Sequence, residues 1–238
     1  MTADLRLELS NVTLGYDRVP VVRGLDIALK AGEILAILGP NGAGKSTTIN
    51  ACSGFVKAMS GSVVLDGETI TGVSPQALCR RGVSQVPEGR GIFLGLTVSE
   101  HLRVAGGGDA ARAALSHFPA LSSLQDRKAG LLSGGQQQML ALACALARRP
   151  RLLLIDELSL GLAPIIVEQL LPVVRSFANE SGCSVILVEQ HVALALEIAD
   201  SGLVLAHGET VLKADAATLK ADRGLLMASY MGTTSDNT

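Results

Sequence analysis

The residues Gly39-Pro40-Asn41-Gly42-Ala43-Gly44-Lys45-Ser46-Thr47 fit the pattern G-x-x-x-x-G-K-[ST]. These residue types serve one chemistry. Glycines let backbone N–H groups curl around phosphate oxygens with no Cβ in the way, and the N-terminus of a following helix favours an anion. Lys45 is spaced to reach the β- and γ-phosphates, and the Ser46 hydroxyl to ligate Mg2+. A second signal is Leu152-Leu153-Leu154-Ile155-Asp156-Glu157, an apolar strand ending in two carboxylates. Beside a phosphate loop, one carboxylate can hold Mg2+ and the next can polarise an attacking water. Asp156 is assigned to the metal and Glu157 to the water; the alternative is a pair of helix-capping acids after the strand. The third signal is Leu132-Ser133-Gly134-Gly135-Gln136. It reads as a helix start built to touch a phosphate, on a part of the chain with no phosphate loop of its own. That arrangement calls for two copies facing each other with ATP between them.

The surrounding pattern supplies elements to carry these residues. Leu5, Leu7 and Leu9 alternate with polar residues, as do Leu25, Ile27 and Leu29, which predicts two half-buried strands. Residues 33–38 form a short apolar run, expected to be a buried parallel strand that feeds the glycine loop and a helix over about 45–53. Residues 62–65 are a strand closed by the Asp66-Gly67 turn. Ser74-Pro75 starts a short helix that Gly82 ends. Thr97-Val98-Ser99-Glu100 is a capping-box pattern. From about 97 to 127 the chain is expected to be mostly helical, interrupted at Gly106-Gly107-Gly108. A long helix follows Gly135 to about Ala147, closed by Pro150. Strands over 151–155 and 184–188 alternate with helices, and a hairpin turns at His207-Gly208. The tail after Met231 is polar.

Composition narrows the function further. Twenty Lys and Arg against 22 Asp and Glu give a formal net charge of −2, with basic residues scattered, so no nucleic-acid surface is expected. Cys52, Cys79, Cys144 and Cys183 lack metal-ligand spacing and read as reduced thiols. The first eight residues carry no secretory core. The longest apolar run, about 139–147, falls well short of the roughly 20 residues of a spanning helix. A transport role would therefore need separate membrane subunits.

With the phosphate loop, the glycine motif at 132–136 and the acidic strand end in this order, the chain resembles an ATP-binding cassette (ABC) ATPase along nearly its whole length. The resemblance implies an α/β fold with a P-loop NTPase core, an N-terminal antiparallel β subdomain and an inserted α-helical lobe at about 86–140. It implies one domain over 1–233 and a polar tail at 234–238. ATP and Mg2+ are the implied ligands. Tyr16 resembles the aromatic residue that stacks on adenine. Gln85 resembles the glutamine that contacts Mg2+ and the attacking water and senses the membrane partner through the lobe. Ser133, Gly134, Gly135 and Gln136 would contact ATP held by the opposite subunit, and residues 159–164 would cross the dimer interface. Most such ATPases carry a γ-phosphate-contacting histidine after the last core strand. Counting back from Ala199-Asp200, that position falls on Gln190, with His191 the adjacent alternative. Leu158 stands where the family usually has proline.

Val86-Pro87-Glu88-Gly89-Arg90, the run Ser133-Gly134-Gly135-Gln136-Gln137-Gln138-Met139-Leu140 and Leu187-Val188-Glu189-Gln190 resemble one branch, the second ATPase subunit of branched-chain amino-acid importers. That branch implies a peripheral subunit on the cytoplasmic face of the membrane. It would pair with a second, different ATPase chain and two transmembrane permease subunits, and indirectly with a solute-binding protein. Importers of urea, amides or other amino acids remain the alternative substrates, and a soluble or non-catalytic nucleotide-binding protein the alternative class.

Overall fold

The computed structural model describes residues 5–222. The expected polar tail at 234–238, and the end of the expected 1–233 domain, lie outside the described residues. The chain opens with β1 (Leu5–Tyr16) and β2 (Val19–Lys30), an antiparallel hairpin whose alternate residues are buried. Next come β3 (Ile34–Leu38), buried at every position, and α1 (Lys45–Cys52). β4 (Ala58–Leu65), β5 (Glu68–Thr69), α2 (Pro75–Arg80) and β6 (Val83–Val86) follow. Then come α3 (Val98–Ala105), α4 (Gly108–Ser116), two short 3-10 turns, and α5 (Gly134–Ala147). The chain closes with β7 (Leu152–Asp156), α6 (Pro164–Ser181), β8 (Ser184–Val188), α7 (Val192–Ile198), β9 (Ser201–Ala206), β10 (Glu209–Asp215) and α8 (Ala216–Ala221).

Two sheets result. The antiparallel one has the order β2-β1-β4-β5, and the other runs β10-β9-β3-β8-β7-β6, parallel throughout except for its edge strand β10. The parallel sheet is covered on both faces, which is why its strands read as continuous apolar runs. Side chains divide by strand period between two cores. Ile34, Ala36, Leu153, Ile155, Val185 and Leu187 pack with the helices of the inserted lobe, including Leu102, Phe118 and Leu140. Leu35, Ile37, Leu152, Leu154, Ile186 and Val188 pack against the antiparallel sheet through Leu7, Leu25 and Val63. Each such fully buried aliphatic side chain is worth roughly 1.5–3 kcal/mol.

Helix boundaries follow capping chemistry. The Thr97 hydroxyl accepts from Glu100 N, and Glu100 Oε2 accepts in return from Thr97 N. Three elements are absent from the sequence expectation: β5, β6 and α8. They are two, four and six residues long, too short to display a period. β4 also begins four residues before the expected strand at 62. Its pairing with β1 shifts register between Ser10 and Thr13, which spoils the alternation there. Among the described residues no helix is long and apolar enough to cross a membrane.

Candidate nucleotide site

Parallel strands place the loops after their C-terminal ends on one edge of the sheet, where open α/β sheets bind ligands. Four strands contribute here. β3 leads into the glycine loop, β6 into Pro87-Glu88, β7 into Glu157 and β8 into Glu189-Gln190. Around a cavity of about 380 Å3 stand Val21, Asn41, Gly42, Gly44, Lys45, Ser46, Thr47, Glu88, Glu157, Leu160 and Gln190.

The loop's course is enforced by backbone as much as by charge. Gly39 has φ 146, and a Cβ there would stand 2.1 Å from Leu205 O. Gly44, the residue before α1, has φ 103, and its Cβ would meet Val22 Cγ2 at 2.3 Å. No other residue fits either position. Gly39, Pro40 and Ala43 do not line the cavity: Ala43 is buried, while the Gly39 and Pro40 carbonyls accept from Lys45 Nζ at 2.9 and 3.0 Å. Burial pushes the Lys45 ammonium below its ordinary pKa, and the carboxylates of Glu157, Asp156 and Glu189 act in the opposite sense.

Ser46 Oγ donates to Asp156 Oδ1 at 3.2 Å, so the two oxygens expected around a metal meet, Ser46 in the cavity wall and Asp156 buried behind it. Burial holds the Asp156 carboxyl above its ordinary pKa; the Ser46 hydrogen bond and Lys45 lower it, and Glu157 and Glu88 raise it. One residue on, Glu157 adopts φ 51. Leucine at 158, fully buried in the core, removes the restriction that proline would place on that backbone. Gln190 Nε2 donates to Glu157 Oε1 at 2.8 Å. His191, its neighbour, is the N-cap residue of α7 and does not line the cavity. Beneath this pair, Glu189 is 1 % exposed and accepts from Ser159 N at 2.9 Å and Ser159 Oγ at 2.6 Å. Burial raises the Glu189 pKa, and the two Ser159 bonds lower it.

Gln85 lies on β6 opposite Leu154, and its Nε2 donates to Asn50 Oδ1 at 3.1 Å. It lines a second groove of about 590 Å3, shared with Phe55, Phe93, His101, Val104 and Arg148. Val86 pairs with Ile155, so residues beyond Val86 stand level with Asp156 and Glu157, and Glu88 lines the cavity.

Tyr16 is half exposed at the end of β1, paired with Val19, two residues before Val21 of the cavity wall. Ser133, Gly134, Gly135 and Gln136 do not line this cavity. They form the start of α5, where Ser133 N donates to Gln136 Oε1 at 3.0 Å and Gln136 N to Ser133 Oγ at 3.3 Å. This second capping box was not anticipated, although its S-x-x-Q pattern stands in the sequence.

Known proteins resemble this chain in sequence and fold. The family model described as "ABC transporter" matches residues 22–159. The chain is 39% identical to the high-affinity branched-chain amino acid transport ATP-binding protein BraG of Pseudomonas aeruginosa, over 90% of this chain and 94% of that one. It is 34% identical to a probable branched-chain amino acid transport ATP-binding protein, LivF, of Archaeoglobus fulgidus, over 90% and 93%. A crystal structure of an ATP-binding cassette of an ABC transporter in its ADP conformation superposes with a TM-score of 0.84 at 25% identity, covering 96% of this chain and 99% of that one.

Proposed function

This chain belongs to the ABC transporter family and is an ATPase of that family, and on that premise we propose that it drives an importer of branched-chain amino acids. The observation that carries the reading is the convergence of Lys45, Ser46 and the Glu157–Gln190 pair on one cavity, with Asp156 bonded to Ser46. Both branched-chain relatives cover nearly the whole chain, which supports the substrate.

The chain's own groups divide the work. N–H groups of residues 42–47 and the Lys45 ammonium bind the β- and γ-phosphates. Gln190 holds one oxygen of Glu157, leaving the other to orient the attacking water and take its proton. Tyr16 stacks on the base. Two hard oxygens, from Ser46 and Asp156, meet 3.2 Å apart, a donor set that suits Mg2+. When bound there, Mg2+ neutralises charge that develops on the phosphate oxygens. Glu88 adds a third carboxylate to that wall.

A second cassette, from a different ATPase chain, completes the site. Residues 133–136 contact its nucleotide, and the loop at 159–164 crosses between the two, presenting exposed Leu160 with Ile165 beside it. The segment at about 86–140 serves as the lobe that meets two permease subunits on the cytoplasmic face of the membrane. The groove carrying exposed Phe55, Phe93 and Val104 is their seat. A solute-binding protein delivers cargo to the permeases. Reconstitution of the co-purified complex in vesicles tests the reading: leucine presented by the binding protein should stimulate ATP hydrolysis. Stimulation by urea or an amide, with none by leucine, would replace the substrate.

A further inference from the structure

Arg90 stands between the two halves of the site and has no part in the assignments above. It ends the turn that carries Glu88: its N–H donates to Pro87 O at 2.8 Å, and its φ is 66. Arginine rarely adopts that left-handed backbone unless its surroundings hold it there. From this turn the side chain crosses to α5. Nε donates to Gln138 Oε1 at 3.2 Å and Nη1 to Gln137 Oε1 at 2.5 Å. Nη2 lies 3.4 Å from where a Cβ on Gly134 would stand. Gln138 is 3 % exposed, and Gln137 passes the connection on, donating from Nε2 to Ala129 O at 3.0 Å.

The charge placement is unusual. Among the described residues no carboxylate pairs with Arg90. Its guanidinium lies against the first turns of a helix, whose positive end disfavours a cation. Two neutral amide oxygens hold it there, although an apolar or acidic side chain would fill the space at lower electrostatic cost. A planar fork fixed in two directions is a rigid connector. It also accounts for Gln137 and Gln138, two residues of the glycine-motif helix that no ligand assignment uses.

We infer that Arg90 is a positioning residue that couples the Glu88 loop, at the chain's own phosphate cavity, to the first turn of α5. Nucleotide in that cavity sets the posture of residues 133–136, and through them the grip on nucleotide held by the facing cassette. The second half of this statement rests on the two-cassette reading; the coupling itself does not.

The experiment uses the full chain in a Glu157→Gln background, with ATP and Mg2+. Hydrogen exchange at residues 134–138 should change when ATP binds the isolated chain, and Arg90→Ala should abolish that change. ATP affinity should stay within about twofold, because the glycine loop is untouched, which also establishes that the variant folds. ATP-driven pairing with the co-purified second ATPase chain should weaken about tenfold, as expected when a charge-assisted hydrogen bond is lost. Gln137→Leu should reproduce the loss, Gln137→Glu should retain the coupling, and the Arg90→Ala/Gln137→Leu double variant should be no worse than either single one. An exchange change that persists in Arg90→Ala, one that is absent from the parent, or additive losses in the double variant would each overturn the inference. If the exchange change depends on Arg90 but the parent never pairs with the co-purified second ATPase chain, the coupling stands and the two-cassette reading fails.

Discussion

The glycine loop at 39–47 and the glycine motif at 133–136 are both helix starts suited to phosphate, yet they are held by different means. Close packing fixes the first. Gly39 sits against Leu205 O, Gly44 sits against the Val22 side chain, and Lys45 bonds two loop carbonyls. Side-chain hydrogen bonds fix the second, through the Ser133–Gln136 capping box and the Arg90–Gln137 bond. A site held by close packing binds in one shape. A site held by side-chain hydrogen bonds can change its posture, which suits a surface that must meet and release a partner.

Six substitutions, grouped in four tests, can break or sharpen that contrast. The largest effect belongs to the chemistry of the rigid half: Glu157→Gln should lower turnover roughly a thousandfold while ATP still binds. Multiple-turnover phosphate release near the wild-type rate would remove Glu157 from its role. Next, Gly39→Ala should cost about 3 kcal/mol, because its Cβ collides with backbone, whereas Gly134→Ala, with only ordinary contacts around it, should stay within about 0.5 kcal/mol. Denaturant unfolding reads both, and equal losses would erase the distinction between the close-packed half and the half held by side-chain hydrogen bonds.

A pH effect comes third. Burial raises the Glu189 pKa, so its neutral form is the one the fold favours. That stabilising contribution is complete below the ordinary glutamate range and is lost as pH rises through the raised value. Removing the Ser159 hydroxyl, which favours the ionised form, should deepen the loss. Ser159→Ala should therefore differ little from wild type near pH 4 and by about 2 kcal/mol at pH 7. A melting-temperature gap that stays constant with pH would contradict this. Smallest is the pair beside Glu157. Gln190→Ala should slow turnover about tenfold, the worth of one hydrogen bond to a charged group, and His191→Ala should do less. The reverse order in a phosphate-release assay would transfer the positioning role to His191.

The sequence disclosed whatever lay contiguous along it. The glycine loop, the acidic end of β7 and the start of α5 are local patterns with local meanings. Gln190 was reachable because it follows an apolar strand directly, where position can be counted. The level at which Gln85 stands was not legible, because on a parallel sheet it is set by pairing with another strand. The Val86–Ile155 register is invisible until β6, only four residues long, is known to be a strand. Arg90 was out of reach for the same reason, since its partners lie 47 and 48 residues downstream.

The strand that launches the glycine loop has both its neighbours late in the chain: Ile34 pairs with Val185, and Leu35 with Ser201. As the polypeptide leaves the ribosome from its N-terminus, β3 must wait for most of the protein to be made before any sheet can hold it. Nucleotide capture is therefore postponed until synthesis is nearly complete, and a chain truncated before β8 lacks both the partner strand of its loop and Gln190. Long-range pairing of this kind folds slowly and leaves apolar edges open meanwhile.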